Sequence, residues 1–122
     1  MRKLLVAPRA QRDIDAALTD SVERHGRDAA RRYRGLIALA IKALHSRPDR
    51  PAAHASGVGD LHLYALRVAA RQLGGDQPVR SSPHVVVFRF DEQTVEIVRV
   101  LHEAMDLPNH LESAARTDDR DA

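Results

Sequence analysis

Leu4 and Val6 lie on one face of a short extended segment, Lys3 to Ala7, and Pro8 then removes a backbone donor, so the chain opens with a brief strand. From Ala10 the period changes. Ala10, Ile14, Ala17, Leu18 and Val22 recur at three- and four-residue steps, with Arg12, Asp13, Asp15 and Glu23 largely outside the stripe. That is the buried face of a helix, which Gly26 ends as a residue that tolerates a left-handed conformation. A second stripe, Ala30, Tyr33, Ile37, Ala40, Ile41 and Leu44, stops before Pro48. A joint as short as Gly26 folds the two helices back as an antiparallel hairpin.

Pro48 to Gly59 is rich in Pro, Ala, Ser, Gly and Asp and reads as a loop. Three apolar runs follow, Leu61 to Val68, Val85 to Phe90 and Val95 to Leu101, each short and rich in β-formers, and each is expected as a strand. Asp91 to Gln93 has the size of a hairpin turn, and Leu73 to Pro83 is a longer excursion. Asp106 to Leu111 predicts a terminal helical turn, and residues 113–122 a polar, disordered tail beyond a single domain of residues 1–112. The expected fold is α+β in the order β-α-α-β-β-β, with the helical hairpin on one face of a small, mainly antiparallel sheet. Val85 to Phe88 and Ile97-Val98 place apolar groups on both sheet faces, so the face opposite the hairpin requires a cover or a partner.

Composition narrows the chemistry. The chain has 122 residues, 3% aromatics and no tryptophan, which fits one aliphatic core. Zero cysteines exclude disulfides, thiolate metal sites and cysteine nucleophiles and agree with the cytoplasm. The apolar stretch after Met1 is too short for a signal segment, and nothing approaches a membrane span. Lys3 and Lys42 are the only lysines, so the cations are mostly arginines. Between Arg67 and Arg89 stand Arg67, Arg71, Arg80 and Arg89 against Asp76 alone, while Asp118, Asp119 and Asp121 load the C-terminus with acid. The folded body is therefore more basic than the net charge of +2 indicates.

Val95-Glu96-Ile97-Val98-Arg99-Val100-Leu101-His102 followed by Asp106-Leu107 resembles the last strand and its exit in ParE-type toxins of the ParE/RelE superfamily. Val87-Phe88-Arg89-Phe90 and Leu63-Tyr64-Ala65-Leu66-Arg67 are similar to two further family strands, and Ala10, Asp13, Ile14 and Ala17 to its opening helix. Phe88 stands where tyrosine is commoner, and the Leu73 to Pro83 excursion is longer than in the shortest members. The resemblance implies the toxin of a type II toxin–antitoxin module that poisons DNA gyrase without chemistry of its own. It also implies neutralisation by a ParD-like antitoxin in a hetero-oligomer that meets operator DNA only through the antitoxin, with no cofactor and no membrane. RelE-type relatives instead cleave mRNA in the ribosome, and a degenerate member would serve only as an antitoxin-binding scaffold.

Arg67, Arg71, Arg80, Arg89 and Arg99, with Val86 and Phe88, are the candidate partner-binding residues, and Arg67, Arg71, Arg89 and Arg99, on or beside predicted strands, form a basic patch on the sheet. A ribonuclease would need a base for the ribose 2′-OH, cations for the phosphate and an acid for the leaving oxygen. His62, His84 or His102 would supply the base or acid, Arg67 and Arg89 the phosphate clamps, and Tyr64 a stacking or proton-donating group. Plainer roles compete: His102 as a strand-end histidine bonded to nearby backbone or Asp106, and Tyr64 as a core aromatic. His102-Glu103-Ala104-Met105-Asp106 starts like a zinc-protease helix but has Asp where the second histidine belongs, and Gly57-Val58-Gly59 precedes a strand instead of following one, so neither carries a site.

Overall fold

The structure is a computed structural model and describes residues 1–73 and 82–117. Strand β1 (Lys3–Val6) leads into helix α1 (Pro8–His25), with Pro8 in the first helical turn, where its missing N–H costs nothing. Gly26 alone joins α1 to α2 (Arg27–Ser46): its φ of 90° is a conformation that L side chains rarely adopt, and its N–H bonds the Val22 carbonyl at 2.9 Å. The rest follows as β2 (His54–Ala55), β3 (His62–Ala65), α3 (Leu66–Leu73), β4 (His84–Phe90), β5 (Thr94–His102) and α4 (Leu107–Thr117).

The five strands form one mixed sheet in the order β1-β5-β4-β3-β2. β1 runs parallel to β5, and the other pairings are antiparallel. The α+β class and the hairpin-on-sheet arrangement are as expected, with β2 and α3 added. The turn between β4 and β5 is held by Asp91, whose carboxylate accepts the N–H groups of Gln93 and Thr94, both at 2.8 Å.

Two expectations are corrected here. The run Leu61 to Val68 is not one strand: extended structure ends at Ala65, and Leu66 and Ala69, fully buried three residues apart, begin the inward face of a helix. The polar tail does not begin at residue 113 either, because α4 continues to Thr117 with Ala114 buried. The helix is amphipathic enough to dock, so its second half is folded with its first. Residues 118–122 lie outside the described residues.

The main core joins the hairpin (Ile14, Leu18, Leu36, Ile37, Leu44) to Tyr64, Val86, Phe88, Val95, Ile97 and Val100 on one sheet face. On the other face, Leu111 and Ala114 of α4 close over Leu61, Val87, Val98 and Leu101. The cover that the two-faced strands require is thus supplied by the chain itself.

Asp13 of α1 ties the hairpin to the sheet. β1 pairs with β5 only as far as Ile97, and beyond that point the edge of β5 has no strand beside it among the described residues. There the Asp13 carboxylate accepts the Val100 N–H at 2.9 Å and receives Arg99 through Nε at 2.7 Å and Nη2 at 3.1 Å. Both side chains are largely buried. Asp13→Ala would strand a guanidinium and a backbone donor, and the expected loss is about 2–3 kcal/mol of unfolding free energy. Urea denaturation checks it: Asp13→Asn, which keeps one acceptor, should lose distinctly less than Asp13→Ala.

Candidate functional site

Register on β4 and β5 decides which of the candidate residues meet. His84 pairs with His102 at one end and Arg89 with Glu96 at the other. His102 and Arg89 are therefore about five residues apart along the sheet, roughly 16 Å at the rise of a strand. The ribonuclease set is not assembled.

Each arginine has its own setting. Arg89, only 15% exposed, bonds Glu96 at 2.8 Å and lies 3.6 Å from Asp60. Arg99 belongs to the Asp13 tie. Arg67 and Arg71 are on α3, one turn apart and exposed, and Arg67 pairs with Glu103 at 2.8 Å. The expected basic patch on the sheet is thus corrected: two of its arginines are structural ion pairs and two are helical. Arg80 lies outside the described residues.

Val86 and Phe88 are fully buried under the hairpin, which corrects their assignment to a partner surface. Tyr64 is also fully buried, as the core reading has it, and its hydroxyl has no hydrogen-bond partner among the described residues. His62 packs at a tilt against Phe88 and Phe90 at ring distances of 5.5 and 5.1 Å. His102 accepts the Ala104 N–H on Nδ1 at 2.9 Å, the strand-end role expected of it.

Two clefts among the described residues are lined by the hairpin, and sequence reasoning found neither. The smaller, about 210 Å³, lies where the hairpin meets the ends of β4 and β5 and is lined by Asp20, Ser21, His25, Tyr33, His84 and His102, among others. In it the Tyr33 hydroxyl and His84 Nδ1 share a hydrogen bond of 2.6 Å, and the His84 and His102 rings stand edge-on at 5.2 Å. Burial pushes the Tyr33 phenol up, and burial together with the neighbouring His102 holds His84 below its ordinary 6.5, so both are neutral at pH 7. The larger, about 410 Å³, is a groove between α1 and α2 with Leu18, Val22 and Ala30 lining it beside Arg27, Arg31 and Arg34. Its arginines follow helical spacing and were legible in principle, whereas the meeting of Tyr33, His84 and His102 needs a register that the sequence does not display.

Among the described residues no group of three or more His, Cys, Asp or Glu side chains could hold a metal ion, and no described helix is long and apolar enough to cross a membrane.

The family model described as the ParE toxin of type II toxin–antitoxin systems, parDE, matches residues 4–107. The chain belongs to the ParE toxin family. The fold of this ParE-family chain is similar to that of a solved structure described as the chromosomal ParDE toxin–antitoxin system from P. aeruginosa, with a TM-score of 0.64 and 20% identity over 84% of this chain and 96% of the other. At that identity the likeness concerns the fold alone. No curated protein matches the sequence. The matched segment ends where α4 begins, so the second-face cover lies almost wholly outside the family-defining region of this ParE-family toxin.

His84 gives the ParE-family fold a pH dependence of definite sign. Its folded pKa lies below the unfolded value near 6.5, so the unfolded chain binds the proton more readily. This contribution is intact above pH 6.5 and is lost as pH falls through and below that value. Unfolding free energies measured from pH 7.5 to 5 should fall more steeply for the native chain than for His84→Gln, and parallel curves would refute the assignment.

Proposed function

We propose that this ParE-family toxin arrests bacterial growth by binding and poisoning DNA gyrase in the cytoplasm, without chemistry of its own, and that a ParD-like antitoxin neutralises it. In this reading the pair forms a hetero-oligomer, stabilises a plasmid or chromosomal locus, and reaches operator DNA only through the antitoxin. The observation that carries it is the division of labour among the charged residues. Arg89 and Arg99 are committed to carboxylates inside the fold, and the phosphate-clamp candidate Arg89 stands at the far end of the strands from the His84–His102 pair. What is accessible suits docking: the arginine-lined groove of the hairpin, and β1 at the sheet edge with Leu5 43% and Val6 37% exposed.

An antitoxin segment that is both apolar and acidic fits these surfaces, by strand addition at β1 and by seating apolar side chains on Leu18 and Val22 between the arginines. Val22 is 41% exposed, so Val22→Ser should leave the fold intact. It should weaken antitoxin binding about tenfold, as loss of one buried valine contact implies. Isothermal titration with the purified antitoxin measures it.

The target is tested directly. Purified toxin is expected to inhibit gyrase supercoiling and to accumulate double-strand cleavage, with antitoxin reversing both. If gyrase is unaffected while translated mRNA acquires codon-linked cuts, the ribosome-dependent reading replaces this one; growth without arrest on expression would leave only the antitoxin-binding scaffold.

A further inference from the structure

The end of the hairpin where α1 turns into α2 concentrates positive charge. Residues 22–34 contain Arg24, Arg27, Arg31, Arg32 and Arg34, with His25, against Glu23 and Asp28. All five arginines are exposed. Arg24 is held by Asp20 at 2.9 Å and Arg31 by Asp28 at 3.2 Å, whereas Arg27, Arg32 and Arg34 have no ion pair among the described residues.

This placement works against the fold. Arg27, Arg31, Arg32 and Arg34 occupy the first turns of α2, where the aligned peptide dipoles already place positive charge. Arg27 and Arg31, one turn apart, repel each other. A helix charged for its own stability would carry acids there, and Asp28 is the only acid in its first turn.

We propose that this arginine stripe is a contact for the phosphate backbone of duplex DNA, made without sequence readout. Arg27, Arg31 and Arg34 follow one another on one side of α2 over about 10 Å, a length along which the duplex presents several phosphates. The one-residue joint at Gly26 fixes the display, since both helices are packed into the main core directly behind it. Single-strand binding would call for exposed aromatics on which bases stack, and Tyr33, the aromatic of this stretch, is buried. Base readout would favour amide side chains, and residues 22–34 contain no Asn or Gln. The contact takes its setting from the gyrase reading, because a poison of a cleaved-DNA complex works beside duplex DNA. It also gives the antitoxin a way to neutralise: a segment lying in the groove would cover the same guanidinium groups.

Fluorescence anisotropy with a labelled duplex of about 25 base pairs and the full-length chain, free of antitoxin and gyrase, tests the contact separately from the target. Binding is expected at 50 mM salt and should weaken steeply towards 200 mM. The triple variant Arg27→Ala, Arg31→Ala, Arg34→Ala should lose at least tenfold in affinity and reduce the log–log salt slope by about 2 to 3, as removal of three phosphate contacts requires. The same variant should melt close to the native chain, because relief of the repulsion between these arginines offsets loss of the exposed Arg31–Asp28 pair. Lys42→Ala with Arg71→Ala, two exposed cations elsewhere, should change affinity less than threefold. Absence of salt-dependent binding, an unchanged triple variant, an equal loss in Val22→Ser, or tighter binding to an RNA duplex would each overturn the proposal. Gyrase poisoning that survived such a result would leave the functional reading standing and remove only the DNA contact.

Discussion

One carboxylate completes strand β5, which lies between β1 and β4. β5 is paired by β4 along one side, but on the other the pairing with β1 stops at Val6 opposite Ile97, and the polypeptide turns into α1 to build the hairpin. A strand buried on both faces cannot leave its edge donors unpaired. Asp13, reaching back from the second turn of α1, takes the Val100 N–H and the Arg99 guanidinium together. The position follows a register break, since Val87 opposes Arg99 while Phe88 opposes Ile97, so that Val98 is an extra residue on β5. Without a fixed acceptor the strand would be free to slip past this irregularity, and every apolar side chain beyond it would change faces. The tie therefore sets which residues enter each of the two cores.

Those two cores differ in kind. The one beneath the hairpin draws on both helices, α3 and four strands, and holds Tyr64 and Phe88 at its centre. The one beneath α4 is small and aliphatic, and it depends on a helix that the ParE family model does not extend to cover. Val87, Val98 and Leu101 would be exposed apolar surface in a chain ending at residue 107. Here the chain carries its own cover, with Leu107, Leu111, Ala114 and Ala115 spaced to face the sheet. The apolar side of the ribbon is therefore covered, and the exposed apolar side chains of the hairpin and the β1 edge include Val22, Leu5 and Val6.

The legible part of the fold was the part with a clean period. The two hairpin stripes, the Gly26 joint and the β4–β5 hairpin all follow from spacing, and Ala10, Ile14, Tyr33, Ile37 and Leu44 are buried as the pattern requires. Leu61 to Val68 deceived because Leu, Tyr and Val are good strand residues; only the burial of Leu66 and Ala69 on one side reveals helical geometry after Ala65. α4 was legible as a start and not as a length, since Asp106 to Leu111 carries the apolar signal and Ser113 to Arg116 reads as polar until Ala114 has something to pack against. Val86 and Phe88 are legible as apolar, but which sheet face the hairpin covers is a choice that alternation alone does not make. The histidine cleft was illegible for a deeper reason: Tyr33, His84 and His102 belong to three elements, and only their registers bring them within reach.

The same reasoning separates the arginines. Counting them gives a basic protein, whereas their partners divide them into two populations. Asp13, Glu96 and Glu103 meet Arg99, Arg89 and Arg67, which keeps the sheet end of the molecule close to locally neutral. Arg89 and Arg99 are largely buried, where a guanidinium without a carboxylate would be strongly destabilising, so these acids are required by the fold and are unavailable elsewhere. The turn end of the hairpin has no such obligation. Its arginines stand in water, where they cost the helix little enough to be tolerated and leave a field that stronger pairing would cancel. The asymmetry is one of burial: charge is paired where it is buried, and at the exposed turn end of the hairpin Arg27, Arg32 and Arg34 have no ion pair among the described residues.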